Sequence, residues 1–342
     1  NLFKLVNFVV NYARDSRLHL YYTPEDIATF IAGLGTTRLT ILQGMSGTGK
    51  TSLPKIFAEA IFGGCDLVEV ESAWRDKNEL LGYYNEFSRV YTPKKFTQAL
   101  YRARLFPERP TFIVLDEMNL SRIEYYFSDF LSLMENEEGK RSIRLLGTPL
   151  YRKHGGVRYR YLGLSEGLSI KIPENVWFVG TANRDESTFE ISDKVYDRAM
   201  VLDLDRKSER FVAPKTPPCP LSADRFGKLA EAAGKEYAVS ARNRQRLQLL
   251  DEYLIEHFHV TFGNRIMKQI HTYIPVFIAC GGDELTALDD ILAKKVIRKL
   301  ETQNPIYLRG AAEGLLGYLD ELFGNDRMTA CKAAIQRLRR NA

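Results

Sequence analysis

Three glycines, a lysine and a threonine lie within the eight-residue stretch GMSGTGKT, residues 44–51. Part of this stretch satisfies the pattern GxxxxGK[ST], which follows an apolar run and precedes a helical one, as the pattern requires. It predicts a loop whose backbone N–H groups bind phosphate oxygens, with Lys50 reaching the β and γ phosphates and Thr51 placing its hydroxyl on Mg²⁺. A glycine-rich turn that binds nothing is the alternative. The predicted nucleotide contacts are Gly44, Met45, Ser46, Gly47, Thr48, Gly49, Lys50, Thr51 and Ser52.

Two acids directly follow another apolar run, in the stretch FIVLDEMN, residues 112–119. They are placed to end a buried strand, and ligands of open α/β sheets bind at the carboxyl ends of the strands. We expect Asp116 to hold Mg²⁺ through water, at the same ion as Thr51, and Glu117 to polarise the water that attacks the γ-phosphate. An acidic strand end with no such role is the alternative, and the phosphate loop upstream counts against it.

A third apolar run opens into polar residues in VWFVGTANRDES, residues 176–187. Asn183 lies at its end, and we expect its amide to hold the attacking water or the γ-phosphate. An asparagine after a strand is more commonly a turn former. Its position one strand beyond the two acids favours a place in the site.

The first two thirds of the chain alternate short apolar runs with longer helical patterns, which is typical of an α/β fold with a parallel sheet covered by helices. The runs predicted as strands are Leu39–Gln43, Leu67–Val70, Thr111–Leu115, Val176–Gly180 and Met200–Leu204. A proline-rich stretch without periodicity predicts a linker, and helical periodicity follows it. The predicted organisation is a helical segment at 1–20, a nucleotide-binding domain at 21–205 with insertions at 71–110 and 140–171, the linker at 206–222, and an all-helical domain at 223–342.

Composition is that of an ordinary globular protein, with 45% hydrophobic and 27% charged residues. The net charge of +5 is too small by itself to argue for nucleic-acid binding. The four cysteines form no CxxC pair, which argues against a zinc site or a disulfide framework and favours the reduced thiols of a cytoplasmic protein. No run approaches the ~20 apolar residues that span a bilayer, so no membrane partner is expected. Because the chain begins with Asn1 rather than methionine, we expect it to be a piece of a longer protein.

Taken together, these stretches make the chain resemble AAA+ ATPases, and within them the McrB-type, dynein-related (AAA_5) subfamily. The subfamily resemblance rests on the stretches ELLGYYNEFSRVYTPKKFTQALYRA, DEMNLSRIEYYFSDFLSLME and VGTANRDESTFEISDKVYDRAMVLDLD, and the overall resemblance covers roughly residues 20–300. It implies a P-loop NTPase fold of the AAA+ type: a three-layer αβα core around a parallel sheet of order 5-1-4-3-2, with a C-terminal α-helical lid.

The resemblance also implies roles that the residues alone do not. Asn183 corresponds to the sensor that positions the hydrolytic water, Arg198 to an arginine that reaches into a neighbouring subunit's site, and Arg265 to a second sensor on the lid. A surface salt bridge is the alternative for each arginine. The subunits are expected to form a ring, commonly a hexamer, with nucleotide bound between them.

The nucleotide is expected to be ATP, bound with Mg²⁺. McrB-type proteins that use GTP carry an MNTAD-like stretch where this chain has TANRDES, and the run of arginines that follows is reduced here to YDRA. GTP is therefore the less favoured nucleotide.

The second insertion is basic. Residues 140–160 contain seven Lys or Arg, no acid occurs from 139 to 165, and alternation around the glycines at 155 and 156 predicts a β-hairpin with a basic tip. Such a hairpin suits DNA through charge and stacking, although a solvated charged face is the commoner interpretation. The tyrosines available for stacking are Tyr151, Tyr159 and Tyr161.

The first insertion is aromatic instead. Its stretch 83–91 holds three tyrosines and a phenylalanine. These side chains either cover the sheet, which we favour, or contact a partner.

Two classes of function remain open. In the first, hydrolysis moves a nucleic acid or a protein; a McrB-like motor subunit of a restriction or antiphage defence system is the leading hypothesis, and a MoxR-like chaperone ATPase is the alternative. In the second, nucleotide binding assembles a scaffold that recruits an effector. An intact Glu117 and Asn183 favour the first class. The sequence has no recognisable nuclease constellation, so a separate nuclease or effector subunit would carry out any cleavage of DNA.

Overall fold

A computed structural model of the chain describes residues 1–88, 90–136, 139–147, 149, 151–154, 156–160, 164–184, 188–205 and 209–341. The helices are α1 Leu2–Asp15, α2 Pro24–Thr36, α3 Ser52–Ala60, α4 Lys77–Leu81, α5 Lys95–Leu105, α6 Ile123–Leu133, α7 Asp193–Tyr196, α8 Ala223–Glu236, α9 Ala241–Phe258, α10 Gly263–Ala279, α11 Glu284–Lys295, α12 Pro305–Phe323 and α13 Thr329–Asn341. The strands are β1 Leu39–Gly44, β2 Gly64–Glu69, β3 Gly82–Asn85, β4 Val90–Pro93, β5 Thr111–Asp116, β6 Ser142–Arg144, β7 Tyr151–His154, β8 Val157–Arg160, β9 Ser169–Lys171, β10 Val176–Asn183 and β11 Met200–Asp203. None of the helices in this part of the chain combines the length and apolar character that crossing a membrane requires.

Five strands form one parallel sheet, in the spatial order β11-β1-β10-β5-β2. If only these five strands are numbered, from 1 to 5 in chain order, their spatial order is 5-1-4-3-2. This is the order that the resemblance implies. They correspond to the five predicted strands, with ends that differ by at most three residues. In the register of the sheet, Gly44 lies beside Asn183 and Asp116 beside Glu69. The strand ends that carry the predicted site residues therefore share one edge of the sheet.

The inner strands are continuous apolar runs because helices cover both faces of the sheet. Phe112 and Phe178 point to opposite faces, since the residue paired with Phe178 is Ile113, the neighbour of Phe112. On one face α3 packs Phe57 edge-on against Phe112, with ring centroids 5.5 Å apart. On the other, α5 stacks Phe96 on Phe178 at 5.6 Å.

Four phenylalanines form the centre of the core on the α5 face. Phe96, Phe127, Phe130 and Phe178 are all buried, and their ring centroids lie 4.9 to 6.3 Å apart. Aromatic pairs at this spacing add attraction beyond the area they bury. This cluster joins α5 and α6 to the middle of the sheet.

The first insertion contains α4, an antiparallel hairpin of β3 and β4, and α5. The side-chain oxygen of Asn85 accepts hydrogen bonds from the backbone N–H of Phe87 at 2.9 Å and of Ser88 at 3.0 Å, which shapes the turn. Phe87 is fully exposed, and Tyr83 and Val90 are more than half exposed. The expectation that the aromatic side chains cover the sheet is therefore wrong for Phe87 and Tyr83.

The second insertion contains the predicted hairpin. Strand β7 pairs antiparallel with β8, with His154 opposite Val157. Gly156 in the turn has φ +81, a conformation that favours glycine. Strand β6 precedes this hairpin in the chain and β9 follows it, and these two strands also pair antiparallel. Tyr161 and Gly155 lie outside the described residues.

The chain divides into two compact units. The first consists of Phe8–Thr23 and Thr37–Phe226 and contains the sheet. The second consists of Asn1–Asn7, Pro24–Thr36 and Gly227–Ala342, and its elements are helices. The predicted nucleotide-binding domain at 21–205 includes α2, whereas α2 packs on α10 and belongs to the helical unit.

We expect Phe96→Ala to lower the free energy of unfolding by about 3–5 kcal/mol, because the cavity would open beneath the centre of the sheet. Urea denaturation followed by circular dichroism measures this loss. The matched control is Phe87→Ala, the same change at a fully exposed site, for which we expect a change within about 0.5 kcal/mol. Equal losses in the two variants would contradict the packing described above.

Candidate nucleotide site

The phosphate loop connects the end of β1 to the start of α3, and glycine conformations shape it. Gly44, Gly47 and Gly49 have φ values of +145, +78 and +89, which other residues rarely adopt. A Cβ on Gly44 would lie 2.7 Å from the carbonyl oxygen of Leu204, and one on Gly49 would lie 2.9 Å from the hydroxyl of Tyr22. The glycines at 44 and 49 are therefore required both by backbone conformation and by close neighbours.

Lys50 lies beneath this loop. Its side chain is buried, and its Nζ donates to the carbonyl oxygens of Gly44 at 3.0 Å and Met45 at 2.5 Å. The ammonium group is thus held inside the curve of the loop, while Met45, Ser46 and Gly47 are exposed. A fixed positive charge enclosed by a glycine loop is suited to a phosphate group.

Thr51 and Asp116 meet although 65 residues separate them in the chain. The Thr51 hydroxyl donates to Oδ1 of Asp116 at 2.7 Å. Thr181 donates to the same oxygen at 2.7 Å, and Oδ2 of Asp116 has no hydrogen-bond partner among the described residues. A hydroxyl and a carboxylate are hard oxygen donors, and Mg²⁺ in nucleotide sites is typically bound by one or two such groups with waters and phosphates. The donor set therefore fits Mg²⁺.

Glu117 adopts a strained backbone conformation at the end of β5. It has φ 52 and ψ 47, the left-handed region that non-glycine residues avoid. Its N–H donates to the Thr181 hydroxyl at 2.9 Å, and its carbonyl accepts from Leu120 at 2.9 Å. These two bonds hold the turn that exposes the Glu117 carboxylate at the edge of the sheet.

Asn183 faces this carboxylate. Its Nδ2 donates to Oε1 of Glu117 at 3.4 Å, a long hydrogen bond. The structure thus brings together the loop, Asp116, Glu117 and Asn183, as the sequence predicts. A carboxylate and an amide in contact can orient one water molecule between them, with the carboxylate as proton acceptor.

Two supporting residues were missed at the sequence level. Thr181 is buried in β10 and joins Asp116 to the backbone of Glu117. Asn119 is buried as well, and its Nδ2 donates to the carbonyl oxygens of Asn183 at 2.9 Å and Phe189 at 3.1 Å. The available signal for Thr181 was its polarity, because it lies in an otherwise apolar run two positions before Asn183. The signal for Asn119 was its place in DEMN, two positions after the second acid.

Arg198 lies elsewhere in the sheet-containing unit. Its guanidinium donates to the carbonyl oxygens of Leu131 at 3.0 Å and Lys194 at 2.9 Å, and it is paired with the carboxylate of Glu135. None of these partners belongs to the phosphate loop or to the acid pair. Its action on a neighbouring subunit stays a prediction.

Arg265 lies in the first turn of α10, in the helical unit, and is exposed. The sheet edge belongs to the other unit, and the role of Arg265 as a sensor stays a prediction.

The comparisons with known proteins support the fold. No protein-family model and no curated protein matches the chain. Among solved structures it is similar to a protein called a "putative ATPase" from Cytophaga hutchinsonii, with a TM-score of 0.53 and 14% sequence identity over 93% of this chain and 92% of that one. The predicted α/β fold, a five-stranded parallel sheet followed by a helical region, is confirmed, and membership of the AAA+ ATPases stays a prediction. At this identity the likeness concerns the fold alone, and the McrB-type subfamily stays a prediction.

We expect Thr181→Val to lower turnover of ATP about tenfold or more, because the isosteric change removes a hydroxyl that orients both acids, at a cost of about 1–3 kcal/mol. Phosphate release measures it. The matched control is Thr40→Val in the neighbouring strand β1. Its hydroxyl is buried and has no hydrogen-bond partner among the described residues, so turnover should not change. Equal effects in the two variants would show that the Thr181 hydroxyl has no special role.

Proposed function

We propose that this chain binds ATP with Mg²⁺ and hydrolyses it as a subunit of a ring-forming AAA+ assembly. The observation that carries the proposal is the hydrogen bond from Thr51 to Asp116. It joins a glycine loop with a buried lysine to a strand end that also carries Glu117. The similar solved structure bears the name of an ATPase, which supports the same activity.

Each part of the site has one task. The loop N–H groups and Lys50 bind the phosphates and offset their negative charge. Glu117 accepts the proton of the attacking water, and Asn183 holds that water and the carboxylate in line. Mg²⁺, bound through Thr51 and Asp116, would neutralise charge on the β and γ phosphates.

The proposed ring rests on the resemblance, in which Arg198 corresponds to an arginine that reaches into a neighbouring subunit's site and Arg265 to a sensor on the lid. An arginine from a neighbouring subunit stabilises charge on the transferred phosphoryl group and makes hydrolysis depend on assembly. For Arg198 this requires its guanidinium to leave the Glu135 carboxylate and the carbonyl oxygens of Leu131 and Lys194 for the phosphate of the next subunit. We propose a hexamer, as the resemblance implies, and ATP rather than GTP because the MNTAD-like stretch is absent.

The biological role that we propose is a McrB-like motor in restriction or antiphage defence, with a separate nuclease or effector subunit. DNA would contact the basic hairpin at 140–160. In the register of β7 and β8, Lys153 lies opposite Arg158, and Tyr151 opposite Arg160, so basic and aromatic residues occupy neighbouring positions.

A second candidate is a MoxR-like chaperone that acts on proteins. The specific observation in its favour is the other hairpin, whose tip residue Phe87 is fully exposed beside Tyr83 and Val90. Exposed apolar side chains on a preformed turn are suited to polypeptide rather than to a phosphate backbone. A nucleotide-gated scaffold is the third candidate, and the intact Glu117 and Asn183 count against it.

We expect Glu117→Gln to lower kcat for ATP by about 100-fold or more, because it removes the proton acceptor, with little change in ATP affinity. Phosphate release from ATP and from GTP measures kcat, light scattering follows assembly, and the ATP concentration at which assembly occurs reports affinity. Glu59→Gln, an exposed acid on α3, is the control. Full turnover in Glu117→Gln would refute its role as general base, and assembly without turnover in the unaltered chain would leave the scaffold.

DNA and protein are distinguished by the two hairpins. If the chain is a DNA motor, duplex DNA should stimulate turnover. The double change Arg158→Glu with Arg160→Glu should abolish that stimulation and weaken the salt dependence of DNA binding. Phe87→Ala serves as the matched change in the other hairpin and should leave DNA stimulation unaltered. Stimulation by an unfolded protein that requires Phe87 and ignores the two arginines would favour the chaperone.

A further inference from the structure

Arg184 follows Asn183 directly and bridges two carboxylates. Its Nη1 donates to Oδ2 of Asp205 at 3.2 Å, and its Nη2 donates to Oδ1 of Asp203. Asn183 ends β10, whereas Asp203 ends β11. Because β1 lies between those two strands, the ion pairs span the end of β1, where the phosphate loop begins.

Asp205 touches the first residues of that loop. Its Oδ1 accepts a hydrogen bond from the backbone N–H of Met45 at 3.3 Å. A Cβ added to Gly44 would lie only 2.7 Å from the same oxygen. The carboxylate is therefore packed against the loop itself and fixes one of its N–H groups.

Asp203 is held from the other side. Gln43, the residue before the loop, donates from Nε2 to Oδ1 of Asp203 at 2.8 Å. Its own Oε1 accepts from the hydroxyl of Tyr196 at 2.8 Å. Gln43 is buried, and both its amide nitrogen and its amide oxygen are hydrogen-bonded.

Two carboxylates beside a polyphosphate site raise an electrostatic conflict. Like charges a few ångströms apart at a protein surface repel each other, and the phosphates of ATP are strongly negative. Arg184 contacts both carboxylates, and its charge offsets theirs.

We propose that Arg184 is a positioning residue of the nucleotide site. Its positive charge offsets part of the negative charge of Asp203 and Asp205, and it keeps the Asp205 carboxylate on the N–H of Met45, so that the loop entrance accepts phosphate. Arg184 acts through these two aspartates and does not bind the nucleotide. The inference rests on the proposed ATP-binding function.

The test is a charge-rescue cycle with a fluorescent ATP analogue and MgCl₂. Arg184→Ala should raise the Kd about tenfold or more, because the carboxylates of Asp203 and Asp205 then lose the positive charge that Arg184 places between them and the phosphates meet a more negative surface. KM should rise similarly while kcat stays within about threefold, since Glu117 and Asn183 are intact. Adding Asp205→Asn to Arg184→Ala should restore most of the affinity, and Arg184→Lys should restore part of it.

The matched control is Arg102→Ala. Arg102 is also a partly exposed arginine of the same unit, paired with Asp66, so the change in net charge is identical. The Kd of Arg102→Ala for the ATP analogue should equal that of the unaltered chain. Circular dichroism and urea denaturation confirm that each variant is folded.

Three results would overturn the inference. An unchanged Kd in Arg184→Ala would remove the role altogether. A raised Kd that Asp205→Asn does not rescue would mean that Arg184 binds the nucleotide itself. Failure of the unaltered chain to bind the ATP analogue would refute the proposed function and this inference with it. That outcome is distinct from the other two, because it is seen before any variant is made.

Discussion

The parallel pairing of β1, β10 and β5 is the constraint on which the site depends. Parallel strands end at the same edge of a sheet, so the loop after β1, the acids after β5 and the asparagine of β10 converge. The pairing is stable because both faces are buried, through Phe57 on one side and Phe96 on the other. A shift in register would separate Thr51 from Asp116, and no local rearrangement could restore their hydrogen bond.

The sheet edge carries conformational strain that polar side chains support. Glu117 is in the left-handed region, and the Thr181 hydroxyl binds its N–H while also binding Asp116. Asn119 ties the segment after Asn183 to the same turn. Hydrogen bonds are stronger in a low-dielectric interior than in water. They convert a strained turn into a fixed direction for the carboxylate.

Charge is distributed at this edge in a definite order. Lys50 lies within the loop, whereas Asp116 and Glu117 lie on one side of β1 and the pair Asp203 and Asp205 on the other, with Arg184 between that pair. The two hairpins, by contrast, lie in insertions between strands of the sheet and differ in chemistry, one exposing Phe87 and the other rich in arginine. The candidate nucleotide site and the two hairpins are thus separate parts of the same unit.

The sequence by itself determined the phosphate loop, the acid pair, Asn183, the five strands and the basic hairpin, because each is a contiguous pattern whose meaning depends on neighbours in the chain. Tertiary structure alone decided the contacts between distant segments: Thr181 with Asp116, Arg184 with Asp205, and α2 with α10. It also decided that Phe87 is exposed, which an aromatic composition does not reveal. Composition and periodicity record the preference of a residue for burial or for a helix, whereas a pairing across the sheet depends on which strands become neighbours. That order is set by the packing of the whole unit: composition and periodicity do not contain it, and at the level of the sequence only the family resemblance implied it.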